Sequence, residues 1–146
     1  MKTIDSFTGD YKFLSNFYHC QIKLDGTIYP STEHAFQAAK TLDLNARKPF
    51  YKHPLPTEGE AKRMGRKLKL RPDWESVKLQ VMEDLLIYKF TDPILKQMLL
   101  DTGDAKLVEG NTWNDQFWGV DVRKGGQNHL GRLLMKIRES MANNAT

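Results

Sequence analysis

The chain has 146 residues, 40% of them hydrophobic, with a net charge of +4 and a sequence pI of about 9.1, a balance that suits one soluble domain, residues 1–146, around one core. No apolar run approaches the ~20 residues needed to span a membrane, and the first six residues, Met1 to Ser6, lack the apolar core of a signal peptide. Cys20 is the single cysteine, which excludes an internal disulfide and makes a cytoplasmic location the expectation.

In chain order, residues 7–29 read as extended. Phe13 to Tyr18 is aromatic, with Ser15 and Asn16 inside it, and reads as a core segment containing a turn. Cys20, Ile22 and Leu24 alternate with polar residues up to Asp25-Gly26, a strong hairpin signal before Thr27-Ile28-Tyr29. A helix is expected over Pro30–Lys40, because Pro30 cannot continue one from upstream and Ser31 or Thr32 can cap the free N–H groups of a first turn. Glu33 falls in that turn, where the helix dipole favours a carboxylate. At about 100° per residue, Glu33, Gln37 and Lys40 share one narrow face, and the lysine leans back toward the other two. The plain reading of such a face is a solvated polar stripe.

Residues 43–56, with Pro49, Pro54 and Pro56, read as irregular. Thr57-Glu58-Gly59-Glu60 is a capping-box pattern opening a short basic helix to about Leu68. Between Lys62 and Arg71 stand Lys62, Arg63, Arg66, Lys67, Lys69 and Arg71 with no acidic residue among them. That run is either a surface for phosphates or a solvated helix face with its trailing loop. After the break at Arg71-Pro72-Asp73, Trp74, Val77, Val81, Leu85 and Tyr88 recur at helical spacing. Asp92-Pro93 caps a further helix from Ile94 to Asp101, closed by Gly103, and Leu107-Val108 fits a short strand. Residues 109–119 read as a loop by their Asn, Asp and Gly content, yet carry Trp113, Phe117 and Trp118. Rings in such a loop either line a pocket for a flat base or sugar or plug the core. Gly125-Gly126-Gln127-Asn128 precedes a last helix with Leu130, Leu133, Leu134, Ile137 and Met141 on one stripe, and Asn128 makes an ordinary N-cap there. Helices, one hairpin and short extended pieces define an α+β, mainly helical fold, not a doubly wound sheet.

The four histidines, His19, His34, His53 and His129, form no metal-like pair, so no metal is expected, and no phosphate-loop or dinucleotide fingerprint is present. Cys20 reads as a core cysteine. Carboxylate, amine, amide and ring chemistry remain: Glu33, Lys40, Asn114, Asp115, Trp74 and the loop tryptophans.

Several of these stretches match one family. Leu14-Ser15-Asn16-Phe17, the run from Tyr29 to Lys40 with its Glu33-His34-x-Phe36-Gln37-Ala38-x-Lys40 core, Met64-Gly65-Arg66, Leu70 to Glu75, Asn114-Asp115, Phe117-Trp118-Gly119 and Asn128 to Met135 stand in the family's order. On these blocks the chain resembles the NADAR domain family, typified by the YbiA-like N-glycosidases. The resemblance implies the YbiA-like α+β fold and hydrolysis of the bond between a ribose and a base or amine, without a cofactor. It implies two substrate classes: ADP-ribose attached to guanine in nucleic acid, and phosphorylated ribosylamino-pyrimidine intermediates of riboflavin biosynthesis. It also implies catalytic roles for Glu33, Lys40 and Asp115, and a ligand site lined by Asn16, Phe17, Gly65, Arg66, Trp74, Asn114, Trp118 and Asn128. Two departures leave the choice of substrate open: a longer stretch between Asp101 and Asn114, and Lys62 ahead of Arg63.

Two mechanisms fit. A carboxylate, Glu33 or Asp115, activates water against an oxocarbenium-like ribose. Alternatively Lys40 attacks C1 of an opened ribose to form a Schiff base, with Glu33 as proton shuttle; the resemblance favours this route. The basic run favours the nucleic-acid substrate. A non-catalytic module binding ADP-ribose or a nucleotide is the alternative from another class, disfavoured by the joint presence of Glu33, Lys40 and Asp115. Trp74 can also be a plain core anchor.

Overall fold

The structure, a computed structural model, describes residues 2–144. In chain order its elements are β1 (Thr3–Ile4), a 3-10 helix (Gly9–Leu14), β2 (His19–Leu24), β3 (Thr27–Ser31), α1 (Thr32–Ala38), α2 (Leu44–Arg47), a second 3-10 helix (Lys48–Phe50), α3 (Glu58–Arg66), α4 (Trp74–Lys89), α5 (Pro93–Asp101), β4 (Lys106–Leu107), β5 (Gly110–Asn111), β6 (Val120–Asp121) and α6 (His129–Asn143). Helices with small two-stranded sheets confirm the expected α+β class. No helix among the described residues is long and apolar enough to cross a membrane. The residues fall into two units, 16–89 and 1–15 with 90–146.

The unit of residues 16–89 is built on the β2–β3 hairpin. Asp25 and Gly26 form its turn with φ of 48° and 84°. Positive φ at both central positions matches the twist of paired strands, which is why Asp-Gly is favoured there. The alternation expected for β2 is present: Cys20, Ile22 and Leu24 are half-buried, buried and half-buried, between exposed His19, Gln21 and Lys23. The pairing register with β3 shifts between His19 and Ile22 without breaking that period of two. β3 runs directly into α1 through Ser31, whose hydroxyl accepts the His34 amide as N-cap. α1 ends at Ala38, so Lys40 stands just past the helix, its amide donating to the Gln37 carbonyl. The stretch 43–56 is more ordered than its prolines suggest. Asp43 caps α2, and Pro49 sits in the first turn of a 3-10 helix, where its missing N–H leaves nothing unpaired. The capping box of α3 is present, with Thr57 and Glu60 exchanging side-chain-to-backbone bonds. α4 buries Trp74, Met82, Leu85, Leu86 and Lys89, while Val77, Val81 and Tyr88 are half-buried. Two neighbouring stripes share the same spacing, and packing against α1 and β2 selects the one carrying Met82 and Leu86.

In the other unit, β1 pairs in parallel with β4, a strand partner the sequence did not announce. Residues 9–14, expected to be extended, coil into the 3-10 helix. Gly9 enters it at φ 58°, and Phe13 and Leu14 turn inward. Asp92 caps α5 through the amides of Ile94 and Leu95, and Gly103 closes the end at φ 63°. α6 buries Leu130, Leu134 and Ile137. Asn128 is not the ordinary N-cap expected: at φ 54° it makes no capping bond, and its amide instead joins two other chain segments.

Candidate active site

The polar face of α1 is buried, not solvated. Glu33 is 7% exposed and Gln37 4%. A buried carboxylate must be held by hydrogen bonds or positive charge. Gln37 Nε2 donates to Glu33 Oε1 at 3.1 Å, and the Glu33 amide donates to the Asn16 carbonyl at 3.0 Å. The first-turn position adds the helix dipole. Gln37 can lie there because Gly65 of α3 has no side chain. A Cβ on Gly65 would overlap Gln37 Oε1 and stand 2.7 Å from Cδ. The small residues Ala35, Ala38 and Ala61, all buried, belong to the same helix pair.

Lys40 is half-buried beside this pair. Burial holds its ammonium below the ordinary lysine value, Glu33 opposes that shift, and the positive charges of Arg66, Lys62 and Lys78 reinforce it. One carboxylate and four cations therefore act on one another at this end of α1. The backbone there is fixed: the Arg71 amide donates to the Lys40 carbonyl at 2.7 Å, and Arg71 is itself held by a two-pronged pair with Asp73. On the other side of α1, His34 is a bracket. Its ring meets Ser31 Oγ at 2.6 Å and the Pro56 carbonyl at 2.7 Å. The structure therefore brings Glu33, Lys40, Gly65 and Arg66 together, with Asn16 joined through its carbonyl. Phe17, 44% exposed, follows Asn16 at the surface. Trp74 is buried with its ring 5.1 Å from Phe36, the position of a core anchor behind α1. Sequence spacing missed Lys78, whose proximity to Lys40 depends on how α4 packs against α1.

Three buried side-chain oxygens around α1, Asn16 Oδ1, Thr32 Oγ1 and Gln37 Oε1, find no hydrogen-bond partner among the described residues. Buried acceptors of this kind call for donors. Sugar hydroxyls are donors of the right chemistry.

The residues 109–128 form a separate hub in the other unit. Asp115 Oδ1 accepts the amides of Phe117 and Trp118 at 3.2 and 3.0 Å. Asn111 spans the same turn through the Asp115 amide and carbonyl. Asn114, at φ 66°, donates its amide to Asp121 Oδ2 at 2.8 Å. The Asn128 side chain accepts from the Glu109 amide and donates to the Leu107 carbonyl. The Trp118 ring stacks edge-on to Phe117 at 4.8 Å and is half-buried, whereas Trp113 is 61% exposed. Asp121, which sequence reasoning passed over, is the organiser of this loop: the amides of Arg123, Asn114 and Lys124 hold its carboxyl below the usual range. Among the described residues no three His, Cys, Asp or Glu side chains gather as a metal site would require.

The buried Glu33–Gln37 pair and half-buried Lys40, with Arg66, Lys62 and Lys78 near the amine, set a carboxylate, an amide and an amine side by side. Residues 5–142 match the NADAR domain, and the chain belongs to that family. It is 45% identical over 140 residues to the N-glycosidase YbiA of Escherichia coli, covering 94% of this chain and 86% of that one. An N-glycosidase of Nostoc punctiforme is 39% identical over 138 residues, 91% and 87% of the two chains. A riboflavin biosynthesis protein of Vibrio vulnificus is 35% identical over 93% of this chain and 37% of its own length. The NMR structure of E. coli YbiA superposes with a TM-score of 0.85 at 42% identity, over 98% of this chain and 86% of that one. Identity at this level across most of the chain makes it an N-glycosyl hydrolase.

Proposed function

We propose that the enzyme cleaves the N-glycosidic bond between ADP-ribose and guanine in nucleic acid, with Glu33 and Lys40 as the catalytic pair. The observation that carries this reading is the set of cations, Arg66, Lys62 and Lys78, acting on Lys40 beside a buried Glu33. The diphosphate that such a sugar carries on its 5-oxygen is an anion for nearby cations to pair with, and those same charges favour a neutral lysine by lowering its pKa. Glu33, held by Gln37, takes the proton that Lys40 must lose. In the productive sequence the ribose ring opens with its oxygen protonated. The Lys40 amine then bonds to C1, and the base leaves with the C1–N electron pair and a proton. Water adds to the resulting imine and returns the free amine. Within its own unit Asp115 holds the turn that carries Trp118 and Asn114, and in the unit of α1 Trp74 backs the ligand wall together with Phe36. A cytoplasmic setting is part of the same reading.

The second reading, a phosphorylated ribosylamino-pyrimidine of riboflavin biosynthesis, is favoured by the name of the Vibrio relative. It shares the reacting bond and differs in size and charge.

The test offers both substrates to the purified enzyme and follows released base and sugar. ADP-ribosylated guanine in an oligonucleotide is expected to be turned over at least tenfold faster, in kcat/KM, than the riboflavin intermediate, a difference of about 1.4 kcal/mol. The reverse order overturns the substrate assignment. Borohydride added during turnover is expected to trap a reduced adduct on Lys40. An active Lys40→Ala enzyme with no adduct in the wild type leaves only the activated-water route. Ligand recovered intact after long incubation replaces both readings with a binding module.

A further inference from the structure

Helix α3 carries two basic ridges, and the active site uses only one. Lys62 and Arg66, one turn apart, act electrostatically on Lys40. Arg63 and Lys67, displaced by one position, line a different concavity, together with Glu60, Met64 and Arg66. The adjoining concavity, about 600 Å³, runs between α3 and residues 45–56, where Lys48 and Lys52 add charge. Lys48, Lys52, Arg63 and Lys67 are all exposed, and none has an ion-pair partner among the described residues. The acidic residue at this groove is already committed, since Glu60 closes the capping box with the Thr57 amide at 2.9 Å. A helix dipole explains one or two basic residues in a last turn. It does not explain two further exposed lysines from a different segment in the adjoining concavity, which shares Glu60 and Met64 with the first.

We propose that these two adjoining concavities form one groove that binds the phosphodiester backbone of a nucleic-acid strand. Arg63 and Lys67 stand about 6 Å apart along the helix axis, a step suited to contacting neighbouring phosphates. Lys48 and Lys52 continue the positive surface into the adjoining concavity. The same helix that bears on Lys40 with its 62/66 ridge holds the strand with its 63/67 ridge, so the nucleotides flanking a modified base are gripped while the base itself is worked on. The placement of the modified base rests on the function proposed above; the binding of the strand does not.

The test is fluorescence anisotropy with an end-labelled, unmodified single-stranded oligonucleotide of about 20 nucleotides, across a salt series. The wild type is expected to bind with a steep loss of affinity as salt rises. Arg63→Ala/Lys67→Ala is expected to weaken binding about tenfold or more and to flatten the salt slope by about 1.4, two phosphate contacts' worth. Lys48→Glu/Lys52→Glu, in the adjoining concavity, is expected to do the same, which separates a groove from a single misfolded helix. Both variants are expected to cleave ADP-ribosylated guanosine, the strand-free substrate, as the wild type does, while KM for the modified oligonucleotide rises. Oligonucleotide affinity unchanged in both variants overturns the proposal, as does equal binding to anionic phosphatidylserine vesicles. If the oligonucleotide binds through these residues but nothing is cleaved, the function proposed above falls and the groove stands. If cleavage proceeds on strands with no dependence on either lysine pair, the groove falls and that function stands.

Discussion

Replacing Gly65 by alanine sets two effects of opposite sign against each other. On propensity alone, glycine to alanine inside α3 stabilises the helix by about 1 kcal/mol. The structure predicts the opposite outcome, because the new methyl would overlap Gln37 Oε1 and stand 2.7 Å from its Cδ. Gln37 is 4% exposed, so it has little room to swing into. If it stays, the overpacking costs about 1–3 kcal/mol. If it moves, its hydrogen bond to the Glu33 carboxylate goes, at about 1.5–3 kcal/mol. Against the propensity gain, the net is a loss of roughly 1 kcal/mol, or about 3 °C in Tm for a chain of this size. The effect on catalysis is expected to be larger, because Glu33 loses the group that orients it: kcat is expected to fall about tenfold, some 1.4 kcal/mol in barrier. Thermal unfolding and steady-state cleavage measure the two. A double-mutant cycle isolates the contact. In a Gln37→Ala background the oxygen and amide carbon are gone, leaving only a Cβ at 3.2 Å, and Gly65→Ala becomes neutral or stabilising. A single variant with raised Tm and full activity refutes the close packing of α1 on α3 and with it the buried Glu33–Gln37 pair.

Three further outcomes follow from the electrostatics. Lys40 is expected to titrate below an ordinary lysine in side-chain NMR, and Glu33→Gln to lower it further, because the Glu33 charge is what raises it; a rise on that substitution contradicts the assigned neighbourhood. Lys89, 1% exposed and 5.7 Å over the Tyr18 ring, is held by burial at about 8. Its unfolded form stays protonated to a higher pH, so the unfolded state binds more protons and stability rises as pH climbs from 8 to 9.5, by up to about 2 kcal/mol. That window lies below the range where Tyr29, pushed by burial up to about 12, works in the opposite direction. Urea midpoints measured across it are expected to rise for the wild type and less for Lys89→Met, with equal slopes counting against the burial. Asp121→Ala is expected to speed hydrogen exchange at the Asn114, Arg123 and Lys124 amides while leaving α1 protected; unchanged exchange there removes Asp121 as the loop's organiser.

Local chemistry alone settled a good part of this protein. Asp25-Gly26 specified the hairpin turn, Ser31, Thr57 and Asp92 specified three helix starts, and the spacing of Glu33 and Gln37 put them on one side of a short helix, with Lys40 just past its end. These signals are legible because each depends on residues within one turn of its own position. Sequence could not say whether that polar side faced water. That was decided by the packing of α3, which brings Gly65 against Gln37, and of α4, both far along the chain from α1. Nor could it choose between the two stripes of α4, foresee the β1–β4 pairing, or see that Asn128 would bridge Leu107 and Glu109 instead of capping α6. Each of those depends on a partner distant in sequence, and the free energy of burying or pairing a group belongs to both partners at once. The periodicity of one segment carries only its own half.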